Sequence, residues 1–171
     1  MVLSNDLKQI LDLGIVMSKE NNHLILLEKI LNESMKISNC DGGTLYIFRD
    51  NMLHFFLFKT ISLNKIGGGV HEKLNLPPVE INEKSVSGKC ALSRININVK
   101  DVYNDVNFDW SGPKKYDKIN GYLTKSMLVI PLIDKENELI GVMQLINAQK
   151  DGKNEKKTIS NRIKKDIRFN D

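Results

Sequence analysis

Leu3, Leu7, Ile10, Gly14 and Met17 recur at alternating spacings of four and three, the seam of a helix that packs against another helix. The pattern leaves two partners open, a face of the same domain or a second, parallel copy in a dimer. Asn21 and Asn22 supply caps for a second helix. Its stripe of Leu24, Leu27, Leu31 and Met35, flanked by Ile30, repeats with the helical period and reads as a core face. Asp41-Gly42-Gly43 is predicted to end the helical region and open a change of period. Thr44, Tyr46 and Phe48 then alternate with Leu45 and Ile47, and after a turn at Arg49-Asp50-Asn51 comes a run rich in Phe and Leu over 52–61. The pair predicts an antiparallel hairpin.

Gly67-Gly68-Gly69 and Pro77-Pro78 bracket a turn-rich segment, after which Val79 and Ile81 predict a short strand. Ser85-Val86-Ser87-Gly88 is the entry to a short helix containing Cys90, Ala91 and Leu92, with Ser85 or Ser87 as its cap. Asn98 and Val99 predict a brief strand, and 101–118 a loop with at most a helical turn or two from Pro113. Residues 126–133 and 139–147 are apolar strands joined by the polar turn 134–138. Five or six strands, with helices at the front and in the middle, describe an α+β fold around an antiparallel sheet. There is no internal repeat.

With 171 residues and 41% apolar content, the chain suffices for one domain that needs neither disulfides nor a structural metal. The formal charge of +4 suggests nucleic acid until its location is considered. Residues 150–171 hold eight basic and four acidic side chains, and 1–149 is left with seventeen of each. The body is neutral and the excess belongs to a polar tail, read as solvated and poorly ordered rather than as a phosphate-binding arm. Nucleic acid is therefore not the expected partner. No run approaches the length of a membrane span, and Asp6 and Lys8 near the start argue against a signal peptide. The expectation is a cytoplasmic protein, or a soluble piece of a larger one, organised as a domain over 1–149 and a tail over 150–171.

Catalytic chemistry finds little support. His23, His54 and His71 lack metal-site spacing. Gly88-Lys89 fails as a phosphate loop because Glu83 and Cys90 stand where a Gly and a Ser or Thr are needed. No nucleophile elbow or paired-cysteine motif occurs, Cys40 and Cys90 being fifty positions apart.

Asp117-Lys-Ile-Asn-Gly121-Tyr122-Leu-Thr124-Lys125-Ser126-Met127-Leu128-Val-Ile-Pro131-Leu132, followed by Ile140-Gly141-Val142-Met-Gln144-Leu145-Ile146-Asn147, resembles the most characteristic part of a GAF domain. That family's pattern is a Gly and an aromatic, a Thr between basic residues, an apolar strand with Pro, then Ile-Gly-Val and a terminal Leu-(Val/Ile)-Asn. Leu123 stands where a basic residue is common. The order of elements agrees over roughly 11–149, and the flavour is that of GAF domains in cyclic-nucleotide phosphodiesterases, adenylate cyclases and bacterial HD-GYP signalling proteins.

The resemblance implies a profilin-like, six-stranded antiparallel sheet with helices on both sides and a small-molecule pocket on one face. It implies that the amides of Val86 and Ser87 receive an anionic group at a helix N-terminus, that Phe58 stacks a base, and that Thr44, Asp117, Asn120, Thr124 and Gln144 hydrogen-bond the ligand. Lys59 is expected beside Phe58 among the ligand-binding residues, where guanine-reading members carry an Asp, and Asn120 and Gln144 replace a Thr and a Glu. Of the Asn-Lys…Phe…Asp signature of cyclic-nucleotide members, Asn147 is present and Ala148 replaces the Lys; the closing helix is expected to be missing or replaced by the tail. The implied function is a non-catalytic sensor for a cyclic-nucleotide-like ligand, with no cofactor and with a homodimer through the N-terminal helix. The alternative is a degenerate module serving mainly in dimerisation. One GAF branch reduces free methionine sulfoxide with a cysteine nucleophile and resolving cysteines, a pattern two distant cysteines do not match; nor is there a bilin Cys-His pair.

Overall fold

The computed structural model describes residues 23–149 except His71. The seam over 3–17 and the basic tail lie outside the described residues.

Helix α1 (His23–Ile37) buries Leu31 and Met35 of the predicted stripe, with Leu27 and Ile30 packed against them; Leu24, expected on the same core face, is instead 41% exposed. The helix stops where Asn39 turns left-handed at φ 47°, a conformation Asn tolerates. The Asn39 amide then donates to the Gln149 carbonyl at 3.0 Å. Strands β1 (Cys40–Arg49) and β2 (Met52–Thr60) form the predicted hairpin. Asp50 and Asn51 take φ of 52° and 58°, the mirror-image turn whose twist matches its strands. β3 (Lys65–Gly68) and β4 (Val79–Glu80) both pair with β2. There follow α2 (Val86–Ser93), β5 (Ile97–Val99), α3 (Ser111–Asn120), β6 (Met127–Ile133) and β7 (Leu139–Ala148). The order across the sheet is β3-β2-β1-β7-β6-β5, every described pairing antiparallel, and β4 adds a seventh strand beside β2.

Alternation along the strands divides two cores. Leu45, Leu57, Met143 and Leu145 meet α1's Leu31 and Met35 on one side. On the other, Tyr46, Leu53, Val129 and Val142 meet Val86, Cys90 and Ala91 of α2, with Val102 and Trp110 from the loop before α3. Helices thus cover both faces, as expected of the family's fold.

Three local expectations need correction. Asp41-Gly42-Gly43 does not break the chain but lies within β1, Gly43 pairing with Lys59 and Leu145. A Cβ on Gly43 would stand 2.9 Å from Leu31 Cδ1 and Met35 Sδ, so this glycine admits the helix rather than a turn. Gly67-Gly68 forms the end of an edge strand. Finally, α3 runs ten residues rather than a turn or two, opening with Pro113 in its first turn, where a missing N–H costs nothing.

Candidate functional site

Phe58 pairs with Thr44 and Thr44 with Gln144, so three of the predicted residues stand abreast across β2, β1 and β7. Directly paired side chains share a face, and here it is the face under α2, because Gln144 Nε2 donates to Ser87 Oγ. Tyr46 donates from its hydroxyl to Gln144 Oε1 at 3.3 Å. Ser87, Gln144 and Tyr46 therefore form a buried polar chain between helix and sheet, and burial pushes the Tyr46 phenol far up from its ordinary range.

The start of α2 is built by Ser85, whose hydroxyl accepts the Gly88 N–H at 2.9 Å. That cap leaves the first-turn N–H groups of Val86 and Ser87 without an acceptor among the described residues. Thr44 is 8% exposed, and its hydroxyl likewise has no hydrogen bond among the described residues. These donors, with the positive end of the helix dipole, are unspent capacity on one face.

Asp117 and Thr124 are brought together elsewhere on this side. Asp117, 3% exposed, accepts the Thr124 hydroxyl at 2.8 Å and the Thr124 N–H at 2.7 Å. Its remaining donor is the Tyr103 hydroxyl at 2.9 Å. Partial burial and the Asp117 carboxylate push the Tyr103 phenol up to about 12, and Lys114 Nζ lies 5.3 Å from its ring centre. The loop carrying Tyr103 is held in shape by its own carboxylates. Asp101 accepts the N–H groups of Tyr103 and Asn104, and Asp105 accepts Trp110 Nε1–H at 3.1 Å.

Two predicted residues are not brought to the set. Asn120 ends α3, donating to the Tyr116 carbonyl and accepting from Lys65 Nζ. Lys59 points to the opposite face, where its Nζ donates to Asn32 Oδ1 of α1 at 2.9 Å. The expectation that Lys59 joins Phe58 against a ligand is corrected, since neighbouring strand residues face opposite ways.

Sequence reasoning missed Tyr46 and Tyr103 as partners of the site. Tyr46 is two positions from Thr44 on one strand, so alternation places it on the same face; the Tyr103 loop carries no such period. It also missed Asp41, which is 7% exposed and accepts the Tyr122 hydroxyl at 2.9 Å and the Ser62 hydroxyl at 2.6 Å. Burial first, then the Asp41 charge, raises the Tyr122 phenol.

Clefts of about 370 and 340 Å³ lie away from these residues. The first, lined by Phe48, Ile81, Ala91, Leu92, Arg94 and Leu139 among others, is at the far end of α2; the second, by Leu24, Phe55, Phe56, Val70 and Leu74 among others, is beside α1. The first also carries Asn51 and the Arg94–Glu138 ion pair and the second Glu72 and Lys73, but those charges are exposed and engaged with each other or with solvent, whereas the Thr44 face holds buried polar groups, and it is the stronger candidate. Among the described residues, no group of three or more His, Cys, Asp or Glu side chains is arranged for a metal, and no helix is long and apolar enough to cross a membrane.

Comparison with known proteins bears on this arrangement. A dual 3′,5′-cyclic-AMP and -GMP phosphodiesterase 11A of Takifugu rubripes is 36% identical over 69 residues, 40% of this chain and 7% of that protein. A cGMP-specific 3′,5′-cyclic phosphodiesterase of Drosophila sechellia is 25% identical over 131 residues, 72% of this chain and 10% of its own length. The chain thus spans a tenth or less of these relatives. Among solved structures, the GAF domain of a phosphoenolpyruvate-protein phosphotransferase from Coxiella burnetii superposes with a TM-score of 0.64 at 15% identity, covering 95% of this chain and 92% of that one. A Staphylococcus aureus fRMsr in complex with substrate gives 0.56 at 19%, covering 96% and 94%; both likenesses concern the fold. The family model for the GAF domain matches residues 23–158. With an antiparallel sheet helix-covered on both faces, and the 117–147 motif closing it, this chain belongs to the GAF domain family.

Proposed function

We propose that this domain is a non-catalytic sensor whose ligand, a cyclic-nucleotide-like monoanion, binds on the α2 face of the sheet. The observation that carries the reading is the convergence of unspent hydrogen-bonding groups at Thr44, Val86 and Ser87 beside the Phe58 ring. In this reading the anion meets the amides that open α2, Phe58 stacks the base, and Gln144 and Ser87 give up part of their mutual bond to the ligand. Asp117 and Thr124, already satisfied by each other and by Tyr103, join only when the Tyr103 loop lifts, so binding is accompanied by a rearrangement of the loop before α3. The two thiols support a non-catalytic role by their placement: Cys40 packs in the α1 core and Cys90 in the α2 core, on opposite faces of the sheet, an unsuitable arrangement for a nucleophile and its resolving partner.

Calorimetry of the full chain against cyclic AMP, cyclic GMP and cyclic dinucleotides tests the reading. Binding weakened by Phe58→Ala by about 1 to 3 kcal/mol, the usual size of a base-stacking contact, supports it; no binding up to millimolar in a folded sample refutes it. A second reading, a module kept mainly for dimerisation, is favoured by the internally satisfied Asp117–Thr124–Tyr103 and Ser87–Gln144–Tyr46 groups. Light scattering of the intact chain beside one beginning near Asn21 separates the two: a dimer lost on truncation, with no ligand bound by either, selects the second.

A further inference from the structure

Lys59 and the Gly67-Gly68-Gly69 run are both unexplained by ligand contacts, and both lead to α1. A Cβ on Gly67 would stand 2.5 and 2.7 Å from Phe58 Cε1 and Cζ, so the ring lies directly against the Gly67 backbone. A Cβ on Gly69 would stand 2.2 Å from Glu28 Oε1, and the same oxygen accepts the Val70 N–H at 2.5 Å. Between them the Gly69 N–H donates to the Phe56 carbonyl at 2.7 Å. The strap over 67–70 therefore touches a ring of the ligand face at one end and a carboxylate of α1 at the other, with room at both ends for no more than a hydrogen. A second connection runs in parallel. Lys59, next to Phe58, donates to Asn32 Oδ1, and Asn32 Nδ2 donates to the Glu28 carbonyl at 2.9 Å.

We propose that Glu28 and Asn32 are positioning residues for Phe58, and that the 67–70 strap with Lys59 couples the ring of the candidate ligand face to helix α1 on the other side of the sheet. The part concerning ligand rests on the reading above; the coupling itself is a property of the ligand-free domain. A ring that shifts to stack a base displaces Gly67, and the strap transmits that displacement to the Glu28–Val70 bond. By reciprocity, whatever moves α1 changes affinity at Phe58.

The experiment uses the full chain with ring-labelled phenylalanine, the Phe58 signals assigned by Phe58→Leu. In ligand-free protein Glu28→Ala shifts the Phe58 ring signals, Glu28→Gln restores them because its oxygen still accepts the Val70 N–H, and Glu33→Ala on the same helix leaves them in place. Conversely, Phe58→Leu speeds hydrogen exchange at Val70 by about tenfold relative to amides of β7. Phe58 signals unmoved in Glu28→Ala, or Val70 protection unchanged in Phe58→Leu, overturns the coupling. With cyclic AMP and cyclic GMP as probes, Glu28→Ala weakens binding about fivefold or more, within the usual range for coupled sites. Should the wild type bind neither probe, the nucleotide reading fails while the ring and exchange measurements still decide the coupling.

Discussion

Asn147 closes the family motif, and its structural contribution can be separated into two parts. Its Oδ1 accepts the N–H groups of Lys125 at 2.7 Å and Ser126 at 3.2 Å, while Nδ2 donates to the Leu123 carbonyl at 2.7 Å and the Tyr122 hydroxyl at 3.0 Å. Its backbone is left-handed, with φ 57°. Four bonds at about 0.5–1.5 kcal/mol each set an upper range, but two are replaceable: Lys125 is exposed, so water reaches its N–H, and Tyr122 keeps its bond to Asp41. About 1–3 kcal/mol is then lost in Asn147→Gly. Asn147→Ala loses the same bonds and in addition places a Cβ in the left-handed region, a further cost of about 1 kcal/mol. Urea unfolding with a shared slope measures both, and on heating each kcal/mol corresponds to about 2–4 °C. Asn147→Gly as stable as wild type would show the side-chain bonds to be worthless, and Asn147→Gly less stable than Asn147→Ala would refute the backbone argument.

Thr124→Val removes one donor from the buried Asp117 carboxylate and should cost about 1–3 kcal/mol, the penalty for a buried acceptor left short; Thr124→Ser, which keeps the hydroxyl, should recover most of it in the same unfolding assay. The Tyr103 phenol, raised from 10.0 to about 12 in the folded domain, loses its proton first in the unfolded chain. Its stabilising contribution is therefore complete below pH 10 and falls away as pH rises toward 12, so Tyr103→Phe should flatten the alkaline decline in stability over that window. Burial raises the Cys40 thiol and pushes the Cys90 thiol up to about 12. Both should thus resist a thiol reagent at pH 8 in the folded protein and react on unfolding; rapid labelling of folded protein would contradict the packing of the two cores.

The parts legible in the sequence were those where side-chain period and burial agree. The Leu27 to Met35 part of the stripe, the two hairpins and the Ser85-capped helix are each fixed by nearby residues, and each lies where its pattern placed it; Leu24, at the helix start, does not reach the core. Glycine was read as punctuation and failed in that role twice. At Gly43 and Gly67 the missing side chain admits a helix or a ring from elsewhere in the fold, and the identity of the visitor is not written within a few residues of the glycine. Lys59 failed for a different reason. Its alignment with a ligand-reading position compares residue types, whereas the direction of its side chain follows from strand alternation beside Phe58. Once on the α1 face it meets Asn32, 27 positions away, a pairing that no local pattern announces. The site residues whose spacing was right, Thr44, Phe58, Gln144 and Ser87, converge because three share one rung of the sheet and the fourth reaches Gln144 from α2. In that set the Thr44 hydroxyl, unlike Ser87 and Gln144, has no protein partner among the described residues, and it is not one of their buried unsatisfied atoms, so water reaches it. A hydroxyl that water reaches costs little in an empty domain, so Thr44→Val should leave the stability of the ligand-free protein nearly unchanged while weakening any ligand bound there. If unfolding instead shows Thr44→Val to be destabilising, the hydroxyl is already satisfied and the Thr44 face loses its strongest claim to be a binding site.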